Sequence, residues 1–269
     1  MNIHSSAVVA SGATLGTNVS VGPFAFVDDQ VSIGDNAVIG PHAVILRHTS
    51  LGEGCRVHAC AVLGDLPQDL AFKDCDTQVK VGRRCVIREH VTVHRGTKEG
   101  TATEIGDDCF LMATAHVAHN VRLGNRVIIA NGTMLGGYVE IGDRAFISGA
   151  VVVHQFVRIG RLAMVGGNAG LGKDVPPFCM VAGMERNAVA GLNVIGLRRA
   201  GLGPAERQAV KAAFKLLYQS GLNVTQAVAQ IVAEYPSGPA RELADFVAQS
   251  HRGICPFRGE ERSAADPAE

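Results

Sequence analysis

The stretch that decides the fold is residues 105–146, which read IGDDCF-LMATAH-VAHNVR-LGNRVI-IANGTM-LGGYVE-IGDRAF. Every hexad begins with Ile, Leu or Val, and its fifth residue is small or β-branched. That fifth residue lies two positions before the next aliphatic one, so both side chains point to the same side of a short strand. A period of six cannot stay in phase with the 3.6-residue turn of an α-helix. The pattern therefore predicts one short strand and one turn per hexad.

The same phase continues over most of the chain. The aliphatic series spans residues 3–63, 81–93 and 105–171 without changing phase. Hexapeptide repeats of this kind are typical of a parallel β-helix, in which three hexads complete one coil and coils stack about 4.8 Å apart. Glycine often follows the aliphatic residue, as at Gly16 and Gly124. We expect these glycines to take a positive φ in the turns.

Two interruptions of the repeat predict external loops. At Asp69, Cys75 and Glu99 the phase demands an apolar residue, and none is present. We therefore expect the chain to leave the coil at about 64–78 and 94–104. Loops carried on a rigid scaffold are where binding residues collect.

The repeat gives way to helical periodicity near the C-terminus. Apolar residues at i, i+3 and i+4 spacing predict a helix from Pro204 to about Gly221, a second over about 225–234 and a third over about 239–250. The predicted fold is thus an all-β solenoid plus α, with a β-helix over 1–190 and a C-terminal α-helical domain over 191–269.

Composition restricts the partners and the compartment. The chain has 269 residues, with Lys+Arg 25 and Asp+Glu 25, so it lacks the net basicity of a nucleic-acid-binding protein. No apolar run is long enough to span a membrane, and the N-terminus does not resemble a signal peptide. The seven cysteines are scattered, with no C-x-x-C. We therefore expect a cytoplasmic protein with reduced thiols, no nucleic-acid partner and no stable membrane insertion.

A row of polar residues is predicted on one edge of the solenoid. His116 lies between two inward positions and points outward, and His119 falls in the turn that follows. One coil further along the chain this turn position is Gly137, and the next is Gln155, which follows His154. Imidazole is a base near physiological pH, and a glycine N–H can approach a developing oxyanion closely. This set of groups is suited to acyl transfer.

The motifs that carry a family resemblance occur in order along nearly the whole chain: Gln68-Asp69-Leu70, Ile87-Arg88-Glu89, His94-Arg95-Gly96-Thr97, Ala115-His116-Val117-Ala118-His119-Asn120, Gly124-Asn125-Arg126, Val153-His154-Gln155-Phe156, Met164-Val165-Gly166-Gly167, Asp174-Val175-Pro176-Pro177 and Gly191-Leu192-Asn193-Val194. Together they resemble the acyl-(acyl carrier protein)–UDP-N-acetylglucosamine O-acyltransferases of lipid A biosynthesis. The resemblance implies a left-handed β-helix, a homotrimer with substrates between neighbouring subunits, and no cofactor.

The resemblance also implies a mechanism. His119 takes the position of the general base that removes a proton from the sugar 3-hydroxyl, and the N–H of Gly137 takes the position that receives the oxyanion. The donor is a 3-hydroxyacyl chain on acyl carrier protein. Asn120 stands where the family often has an acidic residue. Its amide oxygen is able to orient the imidazole ring without stabilising the imidazolium by charge.

Further substrate contacts follow from the same resemblance. The implied substrate-binding residues are Asp69, His116, His154, Gln155, Gly167, Asn193 and Arg199. Asp69 matches a contact to the glucosamine unit, whereas Asn193 and Arg199 match the region that receives the nucleotide. Gly167 matches the position that limits acyl length, and a glycine there leaves room for a long chain.

Three other functions remain open at this point. Tyr138 stands where many members of the family have histidine, which leaves an N-acyltransferase acting on a 3-amino analogue of the sugar nucleotide possible. A zinc γ-type carbonic anhydrase shares the hexapeptide repeat, although the sequence has no evident metal-ligand cluster and we expect no metal. A purely structural solenoid would need neither the in-phase loops nor the outward histidines.

Overall fold

The computed structural model describes residues 1–184 and 187–258; the last residues of the predicted helical domain, 259–269, lie outside the described residues. The described strands are, in chain order, β1 (Asn2–Ile3), β2 (Val8–Val9), β3 (Thr14–Leu15), β4 (Ser20–Val21), β5 (Phe26–Val27), β6 (Ser32–Ile33), β7 (Val38–Ile39), β8 (Val44–Ile45), β9 (Thr49–Leu51), β10 (Arg56–Val57), β11 (Val62–Asp65), β12 (Gln78–Val81), β13 (Val86–Ile87), β14 (Thr92–His94), β15 (Ala102–Ile105), β16 (Phe110–Leu111), β17 (His116–Val117), β18 (Arg122–Leu123), β19 (Ile128–Ile129), β20 (Met134–Leu135), β21 (Glu140–Ile141), β22 (Phe146–Ile147), β23 (Val152–Val153), β24 (Arg158–Ile159), β25 (Met164–Val165), β26 (Gly170–Leu171), β27 (Cys179–Val181) and β28 (Val189–Leu192). The helices are α1 (Val194–Arg199), α2 (Pro204–Gln219), α3 (Val224–Glu234) and α4 (Pro239–Ala248).

The strands form three sheets that run along the solenoid. In the described chain these sheets contain eleven, nine and eight strands, and every third strand pairs with its neighbour in the coil above or below. Pairing is parallel throughout except between β27 and β28. Residues eighteen positions apart lie side by side, as His116 and Met134 do on β17 and β20. The predicted parallel β-helix is confirmed.

The core consists of the two side-chain columns that the sequence pattern predicts. In the inner coils the aliphatic column is shielded from solvent, and Ile87 and Ile129 are fully buried. The first coil has no coil before it, so Ile3 is 42% exposed. Cys85 and Cys109 occupy the column of small residues, and their Sγ atoms lie 3.0 and 3.1 Å from backbone carbonyl oxygens of the next coil. These cysteines pack as small apolar side chains.

The expectation that the glycines after the aliphatic residue have a positive φ is wrong. The positive φ falls two residues later, on non-glycine residues such as Asn18 and Arg126, with φ 55° and 56°. The glycines are needed for a different reason. A Cβ atom on Gly16 would lie 2.7 Å from the backbone N of Asp35 in the next coil. Glycine therefore permits the close approach of stacked coils.

The predicted C-terminal helices are present as α2, α3 and α4, whereas α1 is a short helix that sequence periodicity did not predict. Strand β28 crosses the predicted boundary at residue 190. The guanidinium of Arg161, on the last coils, binds both carboxylate oxygens of Glu242 on α4, and its closest N–O distance is 2.7 Å. The helical segment is thereby fastened to the end of the solenoid. Within the described chain, no helix is long and apolar enough to cross a membrane.

Candidate active site

His119 lies in the turn that joins β17 of the nine-stranded sheet to β18 of the eight-stranded sheet. We call the edge between these two sheets the histidine corner. The backbone N–H of Tyr138 donates to the carbonyl of His119 over 3.0 Å, and that of Phe156 donates to Gly137, also over 3.0 Å. These bonds place His119, Gly137 and Gln155 on three successive coils of one corner, which is the arrangement that the eighteen-residue spacing predicts.

Gly137 packs directly against the His119 ring. A Cβ atom at Gly137 would lie 2.3 Å from Cε1 and 2.6 Å from Nε2 of that ring, so only glycine fits without moving the imidazole. Among the described residues, no acceptor receives a hydrogen bond from the Gly137 N–H. The corner therefore presents an imidazole nitrogen and a free backbone donor on adjacent coils.

The hydrogen bonds of His119 define its tautomer. Its Nδ1 atom lies 3.1 Å from Oδ1 of Asn120. The backbone N–H of Thr97 donates to the same Oδ1 over 3.1 Å, which identifies this atom as the amide oxygen. An oxygen acceptor requires the proton on Nδ1, so the lone pair of the neutral ring is on Nε2, the atom that faces Gly137.

Two further imidazoles lie beside His119. The rings of His94 and His116 meet edge to face at 5.0 Å, and Nδ1 of His116 is 2.7 Å from the hydroxyl of Thr92. Burial lowers the pKa of His94, and burial together with the neighbouring imidazoles lowers the pKa of His116 to about 4. Both rings are therefore neutral near physiological pH and serve as hydrogen-bonding groups rather than cations.

Both interruptions of the repeat occur at the histidine corner. The first external loop, residues 66–77, joins β11 to β12, and the second, residues 95–101, joins β14 to β15. Asp69 is exposed in the first loop, where its carboxylate accepts a hydrogen bond from the N–H of Ala71. Among the described residues, Asp69 and His119 share no hydrogen bond or ion pair.

Arg95 ties the two loops together. This side chain is buried, with 3% of the residue exposed, although it carries a charge. Its guanidinium lies 2.6 Å from the carboxylate of Asp74, donates to the carbonyl of Cys75 over 3.2 Å, and stacks on the ring of Phe72. The second loop thus holds the first loop, which carries Asp69, in place beside the corner.

His154 and Gln155 complete the corner on the next coil. Both are exposed, and Nδ1 of His154 donates to the backbone carbonyl of Gln155 over 3.1 Å. The side-chain amide of Gln155 and the Nε2 atom of His154 are available to a bound molecule.

The other predicted site residues lie elsewhere on the same chain. Gly167 is in the turn between β25 and β26, at the opposite edge of the nine-stranded sheet from His119. Asn193 caps α1, because its Oδ1 accepts from the N–H of Gly196 and its Nδ2 donates to the carbonyl of Leu162. Arg199 lies at the other end of α1, beside a cavity of about 910 Å³ over the eleven-stranded sheet. The structure does not bring these three residues to the histidine corner of one chain.

Sequence reasoning missed the roles of Thr92, Arg95 and Thr97. Arg95 and Thr97 belong to the motif of residues 94–97, which supports the family resemblance but indicates no chemical role for either residue. Thr92 pairs with His116 across 24 residues instead of eighteen, because the second loop intervenes. Only a count that removes the loop from the register would have found this contact.

Comparisons with known proteins show which family the chain resembles. Sequence models of the bacterial transferase hexapeptide repeat match residues 30–65 and 102–137, and the model for domain 2 of UDP-N-acetylglucosamine O-acyltransferase matches residues 174–255. The acyl-(acyl carrier protein)–UDP-N-acetylglucosamine O-acyltransferase of Syntrophobacter fumaroxidans is 41% identical over 256 residues, which is 94% of this chain and 99% of the relative. The chain belongs to this O-acyltransferase family.

Two further relatives lead to the same assignment. The O-acyltransferase of Thermodesulfovibrio yellowstonii is 39% identical over 255 residues, covering 94% of this chain and 98% of its own. The crystal structure of a UDP-N-acetylglucosamine acyltransferase from Bacteroides fragilis superposes with a TM-score of 0.89 at 39% identity, over 93% of this chain and 98% of that one. The fold is thus the left-handed parallel β-helix with a helical C-terminus that the resemblance implied, and the chain is an acyltransferase.

Proposed function

We propose that this chain transfers a 3-hydroxyacyl group from acyl carrier protein to the 3-hydroxyl of UDP-N-acetylglucosamine, the first step of lipid A biosynthesis. The proposal rests on one observation: the unprotonated Nε2 of His119 lies close to Gly137 on the next coil, and the N–H of Gly137 is free to donate. A base and an oxyanion donor side by side are what acyl transfer to a hydroxyl requires.

The reaction then proceeds in two steps. Nε2 of His119 takes the proton of the sugar 3-hydroxyl while the hydroxyl oxygen attacks the carbonyl carbon of the thioester. The carbonyl oxygen gains negative charge and accepts a hydrogen bond from the N–H of Gly137. When the C–S bond breaks, the ester is complete and the thiolate of acyl carrier protein takes the proton from His119. A thiolate is a good leaving group because its conjugate acid is far stronger than an alcohol.

The remaining predicted residues have binding roles in this proposal. Asp69 on the first loop holds the glucosamine unit, and His116, His154 and Gln155 position the reacting groups at the corner. Asn193 and Arg199 form the nucleotide site, where the fixed charge of Arg199 suits phosphate. The amide oxygen and the amide nitrogen of Asn193 are both engaged within its own chain, so its contribution is to hold α1 in place beside the nucleotide.

A homotrimer would bring these separated residues together. Asn193, Arg199 and Gly167 lie away from the histidine corner of their own chain, and the nine-stranded sheet between Gly167 and His119 exposes Met134 and Val152 by 48% and 47%. A closed three-fold ring buries such apolar side chains and completes each site with a neighbour. Light scattering at micromolar concentration is expected to give three times the chain mass; the mass of a single chain would contradict the trimer.

Gly167→Met is expected to shift the donor preference toward shorter acyl chains. A Cβ atom at Gly167 meets only ordinary contacts, the nearest being the Gly149 carbonyl oxygen at 3.4 Å, so a side chain can begin there without disturbing the coil. Competition between 3-hydroxyacyl carrier proteins of different length measures the effect, with Gly172→Met as the matched control. Unchanged selectivity would place the length limit elsewhere.

Acyl carrier protein is expected to dock on α2. Arg207, Lys211 and Lys215 are four residues apart and line one groove of about 490 Å³ beside α1. Reversing Lys211 and Lys215 to Glu is expected to raise KM for the acidic carrier protein and to flatten its salt dependence, since exposed charges act mainly on association. KM for UDP-N-acetylglucosamine is expected to stay unchanged. In the control variant Arg56→Glu, KM is expected to stay unchanged for both substrates. An equal response of both substrates, or of neither, contradicts the docking role.

The chemical class of the product tests the proposed function. Purified protein is incubated with UDP-N-acetylglucosamine and a panel of 3-hydroxyacyl carrier proteins, and the product is analysed by mass spectrometry before and after hydroxylamine treatment. We expect an acylated sugar nucleotide whose acyl group hydroxylamine removes, as for an ester. A resistant amide formed only from a 3-amino sugar nucleotide would contradict the proposed function and indicate an N-acyltransferase. Bicarbonate formation with bound zinc would favour the carbonic anhydrase.

A further inference from the structure

Asn120 is the centre of a hydrogen-bond network behind His119. Its Oδ1 receives three donors: Nδ1 of His119 at 3.1 Å, the backbone N–H of Thr97 at 3.1 Å and the hydroxyl of Thr97 at 2.9 Å. Asn120 is 8% exposed, and its own N–H donates to the hydroxyl of Thr103 over 2.8 Å. The residue is therefore buried, its backbone is held by Thr103, and its side-chain oxygen is held by Thr97.

The network continues to Tyr138. The hydroxyl oxygens of Thr97 and Tyr138 are 2.9 Å apart. Because the Thr97 proton is already directed to Asn120, the Tyr138 hydroxyl donates to Thr97. The ring of Tyr138 is held edge-on by His119 at 5.3 Å and stacked on Phe156 at 4.9 Å. These two ring contacts hold the tyrosine in place, with its hydroxyl directed at Thr97.

We infer that Tyr138, Thr97 and Asn120 act as positioning residues, forming a neutral hydrogen-bonded relay that fixes the tautomer and orientation of His119 without a carboxylate. This inference deepens the proposed function and rests on it for the catalytic role of His119. Each hydroxyl donates to the next oxygen along the network, so loss of one hydroxyl weakens the restraint on Asn120 and on the His119 ring. The relay explains how an asparagine serves at a position where a charged partner is common.

The titratable groups that face His119 determine whether the pH dependence of kcat/KM reports on this residue. They are His94 at the end of β14, His116 on β17 and the phenol of Tyr138 beyond β20. His94 lies near the carboxylate of Asp65, but its pKa and that of His116 are lowered by burial. Protonation of the base would block the proposed reaction, so the acidic limb of log(kcat/KM) is expected to report on His119.

Asn120→Asp is expected to move this acidic limb up by about one pH unit, because a carboxylate next to the imidazole favours its charged form. The variant keeps the acceptor oxygen, so the relay donors remain bound. An acidic limb that stays in place would show that Oδ1 of Asn120 does not contact the base during turnover, and would overturn the inference.

The hydroxyl members are tested by removing one oxygen at a time. Tyr138→Phe and Thr97→Val are each expected to lower kcat about three- to tenfold, the effect of one hydrogen bond, with KM for the sugar nucleotide unchanged. Thr97→Ser keeps the hydroxyl and is expected to have close to wild-type kcat. The double variant Tyr138→Phe/Thr97→Val is expected to lose no more kcat than Thr97→Val alone. Tyr218→Phe and Thr14→Val, far from the corner, are the matched controls. Equal losses in Thr97→Val and Thr97→Ser would indicate loop packing instead of a relay and would contradict the inference.

The tautomer of His119 gives a test that needs no substrate. Nitrogen-15 NMR of histidine-labelled protein reports which ring nitrogen carries the proton, and the His119 signal is assigned by its loss in His119→Gln. We expect Nδ1–H in the resting enzyme and a mixture of tautomers in Thr97→Val. Nε2–H in the resting enzyme would overturn the relay even if ester is formed. A wild-type protein with Nδ1–H but no acyl transfer would instead contradict the proposed function.

Discussion

His119→Ala is expected to lower kcat/KM on the order of 10²–10⁴-fold, the range for loss of a general base. The side chain is half-buried at the surface of a turn and takes no part in the inner columns, so the coil is expected to fold as before. Steady-state rates of ester formation measure the loss, and thermal melting by circular dichroism checks the fold.

His251→Ala is the matched control, because His251 is exposed in the C-terminal segment. It is expected to keep wild-type activity. A His119→Ala enzyme with near-normal rates would show that another group removes the proton, and the proposed mechanism would then be wrong.

Gly137→Ala is expected to be almost as damaging, with a loss on the order of 10²-fold, because small displacements of a catalytic group are costly. The new Cβ atom would collide with Cε1 and Nε2 of His119, and the imidazole would have to rotate away from both Asn120 and the substrate. The loss is expected in kcat, since the binding residues stay in place.

Gly172→Ala makes the same change where a Cβ atom meets nothing within 4 Å. This control separates the contact with His119 from the general effect of replacing a glycine. Full activity of Gly137→Ala would mean that the ring does not need the position that it has in the structure.

The period of six predicted the solenoid because each inward residue of a regular coil has a neighbour eighteen positions away in the coil before it and in the coil after it, as Ile129 has in Leu111 and Ile147. The same arithmetic placed Gly137 and Gln155 beside His119. It failed where the loops change the register, at Thr92 and His116, and where a role depends on tertiary contact, as for the buried Arg95. The glycine expectation failed because close packing between coils, and not the turn conformation, selects glycine. The binding residues on α1 belong to a region that the repeat does not describe.

In the proposed mechanism His119 activates the 3-hydroxyl of UDP-N-acetylglucosamine. The most direct measurement is two-dimensional NMR of the product formed by the wild-type enzyme and by His119→Ala under identical conditions. We expect a single acyl ester on O3 of the glucosamine ring from the wild type, and almost none from the variant. Acylation at another position, or equal amounts of the O3 ester from both proteins, would contradict it.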